Sequence, residues 1–121
     1  MKAIIVAIVA YALSGSAIAG GPTYLECNVS SITTELLVTL NESTGKITQT
    51  YKANGSGFSA DGQFNANEII YERKVPKLRQ SERFRIDRST LAIEQTIYVG
   101  GEKVVDGNGT CKIVQPRNNK I

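Results

Sequence analysis

The chain has 121 residues and a formal net charge of +3, and it contains no histidine. This length is typical of one small domain. Without histidine there is no Ser-His or Cys-His nucleophile pair, no imidazole metal ligand and no ordinary general base that titrates near neutrality. The two cysteines are too few for a structural zinc site, which usually takes four Cys or His ligands. We therefore expect neither hydrolase chemistry nor a metal or other cofactor.

The amino terminus has the three regions of a secretory signal peptide. Lys2 supplies a short positive start, residues 3–13 form an apolar run, and Ala17-Ile18-Ala19 fits the small-x-small cleavage rule. The alternative is a membrane anchor, but the apolar run is shorter than the roughly 20 residues needed to span a bilayer. The sequence thus predicts a signal peptide over 1–19, a single β domain over 20–121 without a transmembrane anchor, and a secreted or periplasmic location.

Export determines how the two cysteines are interpreted. A single pair of cysteines in an oxidising compartment normally closes, so we expect a disulfide between Cys27 and Cys111. The chain-entropy model gives such a long loop about 4 to 5 kcal/mol of stabilisation, through the unfolded state. The alternative is a pair of redox-active thiols, but neither cysteine lies in a Cys-x-x-Cys motif.

Short stretches of alternating apolar and polar residues, separated by Gly, Asn and Ser, follow the cleavage point and indicate an all-β domain. Eight candidate strands cover residues 23–29, 34–41, 46–52, 58–65, 66–74, 82–87, 91–99 and a last segment that contains Cys111 and Ile113. Val104-Val105 is either an extra hairpin turn or a continuation of the last strand. We pair the fifth and sixth strands in the register that sets Ile69 against Ile86 and Tyr71 against Phe84. This register places apolar side chains together on the inner face and charged side chains together on the outer face.

Short connections between successive strands favour an antiparallel meander. A disulfide holds its two Cα atoms roughly 4.4 to 6.8 Å apart, so Cys27 and Cys111 should make the first and last strands neighbours. A meander whose first and last strands touch is a closed barrel. We therefore expect a barrel of about eight strands, with a two-sheet sandwich as the alternative. About twenty inward apolar side chains would fill its interior, so no ligand cavity is required.

The strongest functional feature is a basic segment over residues 73–88. It contains seven cationic and two acidic side chains, which gives a local charge of +5. The candidate partner-binding residues are Arg73, Lys74, Lys77, Arg79, Arg83, Arg85 and Arg88. Clustered arginines make bidentate contacts with carboxylates or phosphates. The alternative is a solvated hairpin whose outward positions happen to be basic.

An acidic protein or an anionic envelope polymer is the partner that this charge favours. Nucleic acid is disfavoured by export and because no aromatic residue alternates with the basic side chains on the solvent face. No carboxylate pair, such as Asp61 with Glu68, has a spacing that singles it out for acid-base catalysis. We thus expect a non-catalytic exported binding protein, either an inhibitor or an envelope-interaction module. The alternative is a structural or assembly component of an envelope or virion.

The layout resembles that of small exported proteins of bacteria and phages, with Tyr24-x-x-Cys27 in the first strand and Gly109-Thr-Cys-Lys112 near the end. In architecture it is also similar to the inhibitors of C-type lysozyme, a family of small eight-stranded barrels that recognises lysozyme through a Ser-Gly-x-x-Tyr motif. The nearest segment here is Ser56-Gly57-Phe58-Ser59-Ala60, with Ala60 in place of the tyrosine, and the family's second motif, ending Thr-Lys-Gly, is absent. The inhibitory function is therefore not transferred to this chain.

Overall fold

The computed structural model describes residues 21–115, which form eight β-strands and one short 3-10 helix. The strands are β1 (Thr23–Val29), β2 (Leu36–Asn41), β3 (Lys46–Tyr51), β4 (Gly57–Phe64), β5 (Glu68–Val75), β6 (Gln80–Asp87), β7 (Ala92–Val99) and β8 (Glu102–Val114). The helix Pro76–Leu78 connects β5 to β6. The predicted signal peptide over 1–19 lies outside the described residues.

Every strand pairs antiparallel with the next, and β8 pairs back with β1, so the sheet closes into a barrel. The predicted meander barrel is confirmed, and the two-sheet sandwich is not the fold. Because the strands alternate in direction, the connections β1–β2, β3–β4, β5–β6 and β7–β8 lie at one end, here called the tip end. The opposite end, where β1 begins and β8 finishes, is called the terminal end.

The disulfide joins the two strands that close the barrel. Cys27 and Cys111 are directly opposite each other in the β1–β8 ladder, with Cα atoms 4.0 Å apart. The predicted pairing is confirmed, and the Cys27 side chain is fully buried.

The predicted register of β5 and β6 is also confirmed, since Ile69 pairs with Ile86 and Tyr71 with Phe84. Both strands run further toward the tip end than expected, to Val75 in β5 and from Gln80 in β6.

The last strand is continuous from Glu102 to Val114, which settles the open question about Val104-Val105. Ile97 pairs with Val105 and Tyr98 with Lys103, so Val104 is the extra residue of a β-bulge.

At the tip end, β5, β6, β7 and β8 form one continuous four-stranded sheet. The pairing of β4 with β5 stops at Gly62 and Tyr71, and that of β1 with β8 stops at Val29 and Gly109. Beyond those positions β5, β6, β7 and β8 continue to pair only with one another. The β5–β6 and β7–β8 hairpins are therefore joined in one four-stranded sheet at the tip end, and we call them the adjoining hairpins.

The core consists of twelve buried hydrophobic side chains on the inner face. They are Leu25, Cys27, Val29, Leu36, Val38, Leu40, Ile47, Ile69, Tyr71, Phe84, Ile86 and Ile93. Three further inward positions are polar and almost fully buried, namely Gln49, Glu82 and Gln95. The expectation of about twenty inward apolar side chains did not include these three polar residues, which strand alternation turns inward whatever their polarity.

Candidate functional site

A first hydrogen-bonded chain of buried polar groups lies inside the barrel toward the tip end. The Tyr71 hydroxyl donates to Oε1 of Gln49 over 2.6 Å, and Nε2 of Gln49 donates to the Tyr51 hydroxyl over 3.5 Å. Burial raises the pKa of the Tyr71 phenol well above its ordinary value, with smaller contributions from Tyr51 and Glu82. Tyr71 therefore stays protonated and acts as a structural hydrogen-bond donor.

A second chain of polar groups is built around the buried carboxylate of Glu82. Nη2 of Arg73 donates to Oε1 over 2.8 Å, and Nε2 of Gln95 donates to Oε2. The Ser31 hydroxyl then donates to Oε1 of Gln95. Both carboxylate oxygens thus have a donor, which compensates the cost of burying a charge.

Aromatic rings fill the space beside these polar groups. The rings of Tyr71 and Phe84 stack with centroids 5.0 Å apart, and Phe58 lies 6.3 to 6.4 Å from both. The Arg73 guanidinium lies over the Phe58 ring at 4.8 Å, a cation–π contact. Nε of Arg73 is buried without a hydrogen-bond partner. Arg73 is therefore committed to the barrel interior.

Two more of the seven candidate cations are neutralised by neighbouring carboxylates on the outside of the barrel. Arg85 lies between Glu68 and Glu94, with N···O distances of 3.5 and 3.2 Å. Arg88, in the β6–β7 turn at the terminal end, contacts Glu42 at 2.9 Å and also donates to the carbonyl of Asn65. The structure thus places Arg73 inside the barrel and pairs Arg85 and Arg88 with carboxylates on its outer surface. The other four candidate cations lie in a third environment.

The remaining four candidates have no ion pair within 4.0 Å among the described residues. They are Lys74, Lys77, Arg79 and Arg83, and all four lie in the half of the β5–β6 hairpin nearest the tip end. Glu72 is opposite Arg83 in the ladder without forming an ion pair with it. We call these four side chains the unpaired cations.

Arg79 lies at a position with an unusual backbone. Its φ of 53° is in the left-handed region, where it ends the helix Pro76–Leu78 and donates its N–H to the carbonyl of Pro76. Residues other than Gly, Asn and Asp rarely adopt this conformation. The left-handed backbone at Arg79 therefore costs conformational free energy, and the turn places this arginine at the tip.

Two shallow depressions run along the outer face beside the unpaired cations. One, of about 220 Å³, is lined by Arg83, Arg85, Glu94, Thr96 and Tyr98. The other, of about 380 Å³, has Lys74, Arg79, Ser81 and Tyr98 among its lining residues. Tyr98 belongs to both, so the solvent face that carries the basic side chains does contain an aromatic ring. Sequence reasoning missed it because Tyr98 comes from β7, outside the basic segment.

Exposed apolar side chains accompany the cations at the tip end. The large exposed hydrophobic residues of the described chain are Leu78, Val99, Val104 and Ile113, with exposed fractions of 61%, 41%, 54% and 63%. The first three belong to the adjoining hairpins, whereas Ile113 pairs with Leu25 near the terminal end. The tip end is therefore both basic and apolar.

In comparisons with known proteins, no family model, no curated protein and no solved structure matches this chain. The resemblance to lysozyme inhibitors stays a prediction. No helix within residues 21–115 has the length and hydropathy to cross a membrane. Over the same residues, no group of three or more Cys, Asp or Glu side chains is arranged to hold a metal ion.

Proposed function

We propose that this protein is an exported, non-catalytic binding protein that contacts an acidic partner through the unpaired cations. Support for this comes from the separation of the basic segment into two kinds of side chain. Arg73, Arg85 and Arg88 each have a carboxylate of this chain as partner. The unpaired cations have none within residues 21–115, and they are gathered on one part of the surface. Cations without internal partners keep their charge available for a partner's carboxylates, phosphates or sulfates.

The fold supports the same proposal in two ways. The disulfide between Cys27 and Cys111 is of the kind that persists in oxidising compartments, which favours export to the periplasm or the exterior. The closed barrel is a rigid support, so the outer side chains near Tyr98 are held in place without a large conformational cost on binding.

The experiment compares two charge-matched variants of the oxidised mature protein. In the test variant, Lys74→Gln, Lys77→Gln and Arg83→Gln remove three unpaired cations. In the control, Lys46→Gln, Arg85→Gln and Arg88→Gln remove three cations that are paired with carboxylates. The probes are soluble dextran sulfate and poly-glutamate, with binding followed by titration calorimetry at low and at physiological salt.

We expect the test variant to lose at least about tenfold in affinity and the control less than about threefold, because accessible charges near a partner contribute most. Wild-type affinity should fall steeply as salt increases. Equal losses in the two variants would reduce the effect to net charge and contradict the proposal. Absence of binding to both soluble probes and to anionic lipid vesicles would also contradict it. Salt-independent self-association in the same samples would favour an assembly component.

A further inference from the structure

The adjoining hairpins end in two tips that lie side by side. The N–H of Gly100 in the β7–β8 tip donates to the carbonyl of Arg79 in the β5–β6 tip over 2.8 Å. Leu78 belongs to the first of these tips, and Val99 and Val104 flank the second. Lys77 and the Arg79 side chain are beside them, so apolar and basic side chains share one small surface.

We propose that this surface docks on an anionic lipid bilayer, with Leu78 entering the interfacial region and the neighbouring cations contacting lipid headgroups. The proposal deepens the proposed function and rests on it, because it names the acidic partner as a membrane surface. A soluble polyanion or an acidic protein rim requires cations alone. An anionic bilayer binds a surface that combines cations with exposed apolar side chains more strongly. The electrostatic attraction to the headgroups and the burial of apolar side chains in the interface both contribute to the free energy of binding.

The two tips belong to one four-stranded sheet at the tip end. Beyond Gly62 and Gly109 the ladders to β4 and β1 have ended, and β5, β6, β7 and β8 pair only with one another. At the terminal end, the exposed Ile113 neighbours Lys112, whose charge Glu26 partly offsets at 3.7 Å, and the same combination does not arise.

The test measures co-sedimentation of the oxidised mature protein with vesicles. One set is pure phosphatidylcholine, and the other contains about 30% phosphatidylglycerol. Binding should be confined to the anionic vesicles. Lys77→Gln with Arg79→Gly should weaken it by about fivefold for each cation removed. Glycine is suited to the left-handed backbone at position 79, so this variant should fold normally.

The apolar contribution is tested at constant charge. Leu78→Gln with Val104→Thr should weaken vesicle binding several-fold, whereas Ile113→Thr at the terminal end should leave it unchanged. The sequence contains no tryptophan, so Leu78→Trp and Ile113→Trp each introduce a single tryptophan, whose emission can be excited apart from that of the tyrosines. We expect the emission of the first to shift to the blue on anionic vesicles and that of the second to stay constant.

The outcomes separate this inference from the proposed function. Equal binding to neutral and anionic vesicles, or no effect of the Leu78 and Val104 changes, would overturn the bilayer proposal. If dextran sulfate or poly-glutamate were still bound through the unpaired cations, the proposed function would stand and the partner would be a soluble acidic molecule. If neither vesicles nor soluble polyanions were bound, both would fail.

Discussion

Arg73 and Glu82 are opposite each other in the β5–β6 ladder and form an ion pair inside the barrel, with Nη2 2.8 Å from Oε1. The Glu82 side chain is 4% exposed and that of Arg73 is 35% exposed, so the carboxylate is buried and the cation reaches in from the tip end. Arg73 thus belongs to the basic segment in sequence but serves as an internal counter-ion in the fold.

The first prediction concerns removal of this counter-ion. Arg73→Met leaves the Glu82 carboxylate buried without a cation, so the free energy of unfolding at neutral pH should fall by about 2 to 3 kcal/mol. Arg85→Met is the control, because its carboxylate partners are half-exposed rather than buried and its loss should cost less than about 1 kcal/mol. Urea unfolding of both variants measures the difference. If the two variants lost the same unfolding free energy, Arg73 would not be the group that compensates the buried charge of Glu82.

The alternation of inward and outward side chains along each strand predicts most of this barrel. The sequence interpretation, however, used this alternation for apolar residues and not for polar ones. The rule that places Tyr71 inside also places Arg73 inside, because the two residues are two positions apart on β5. In the same way, Glu82 lies inside because it is two positions from Phe84 on β6. Counting charges over residues 73–88 as one block hides that separation. Gln49 and Gln95 were missed for the same reason, because apolar side chains were used to mark the inner face.

Other features depend on lateral pairing and have no local signal in the sequence. Tyr98 joins the basic surface only because β7 pairs with β6, which sets Tyr98 beside Ser81. The bulge at Val104 follows from a register shift between β7 and β8 that the Val104-Val105 pair does not reveal. These positions required the three-dimensional register.

The second prediction concerns Asp87, which organises the β6–β7 turn. Its Oδ1 accepts hydrogen bonds from the backbone N–H groups of Thr90 and Ser89 and from the Ser89 hydroxyl, and these lower the pKa of the carboxyl to about 2. A carboxyl whose pKa is depressed by folding stabilises the protein above its unfolded pKa, and that contribution is lost as the pH falls from about 4 to about 2.

Asp87→Asn should therefore flatten the decline of thermal stability over this pH interval relative to the wild type. Carboxyl carbon shifts from an NMR titration would give the pKa of Asp87 directly. A midpoint near 4 in the folded protein, or identical stability profiles of the two proteins between pH 4 and 2, would contradict the assignment.

The third prediction concerns the close approach of β8 to β1 at Gly109. A Cβ built there would lie 1.6 Å from the backbone oxygen of Asn28, and backbone cannot move aside as a flexible side chain could. Gly109→Ala should therefore destabilise the barrel by about 3 kcal/mol. The adjacent Thr110→Ala, on the exposed outer face, should change stability by less than about 0.5 kcal/mol. Chemical unfolding would measure both, and a Gly109→Ala variant as stable as the wild type would contradict this contact.

The fourth prediction concerns the disulfide that closes the barrel. Reduction, or replacement of Cys27 and Cys111 by alanine, should lower the free energy of unfolding by roughly 2 to 5 kcal/mol. Free-thiol labelling of the denatured, unreduced protein should detect no thiol. Without the bond, only backbone pairing holds β1 against β8, so amides in these strands should lose hydrogen-exchange protection before those in the β5–β6 hairpin. Equal protection of both regions after reduction would show that the ladder from Tyr24 to Val29 closes the barrel without help from the disulfide.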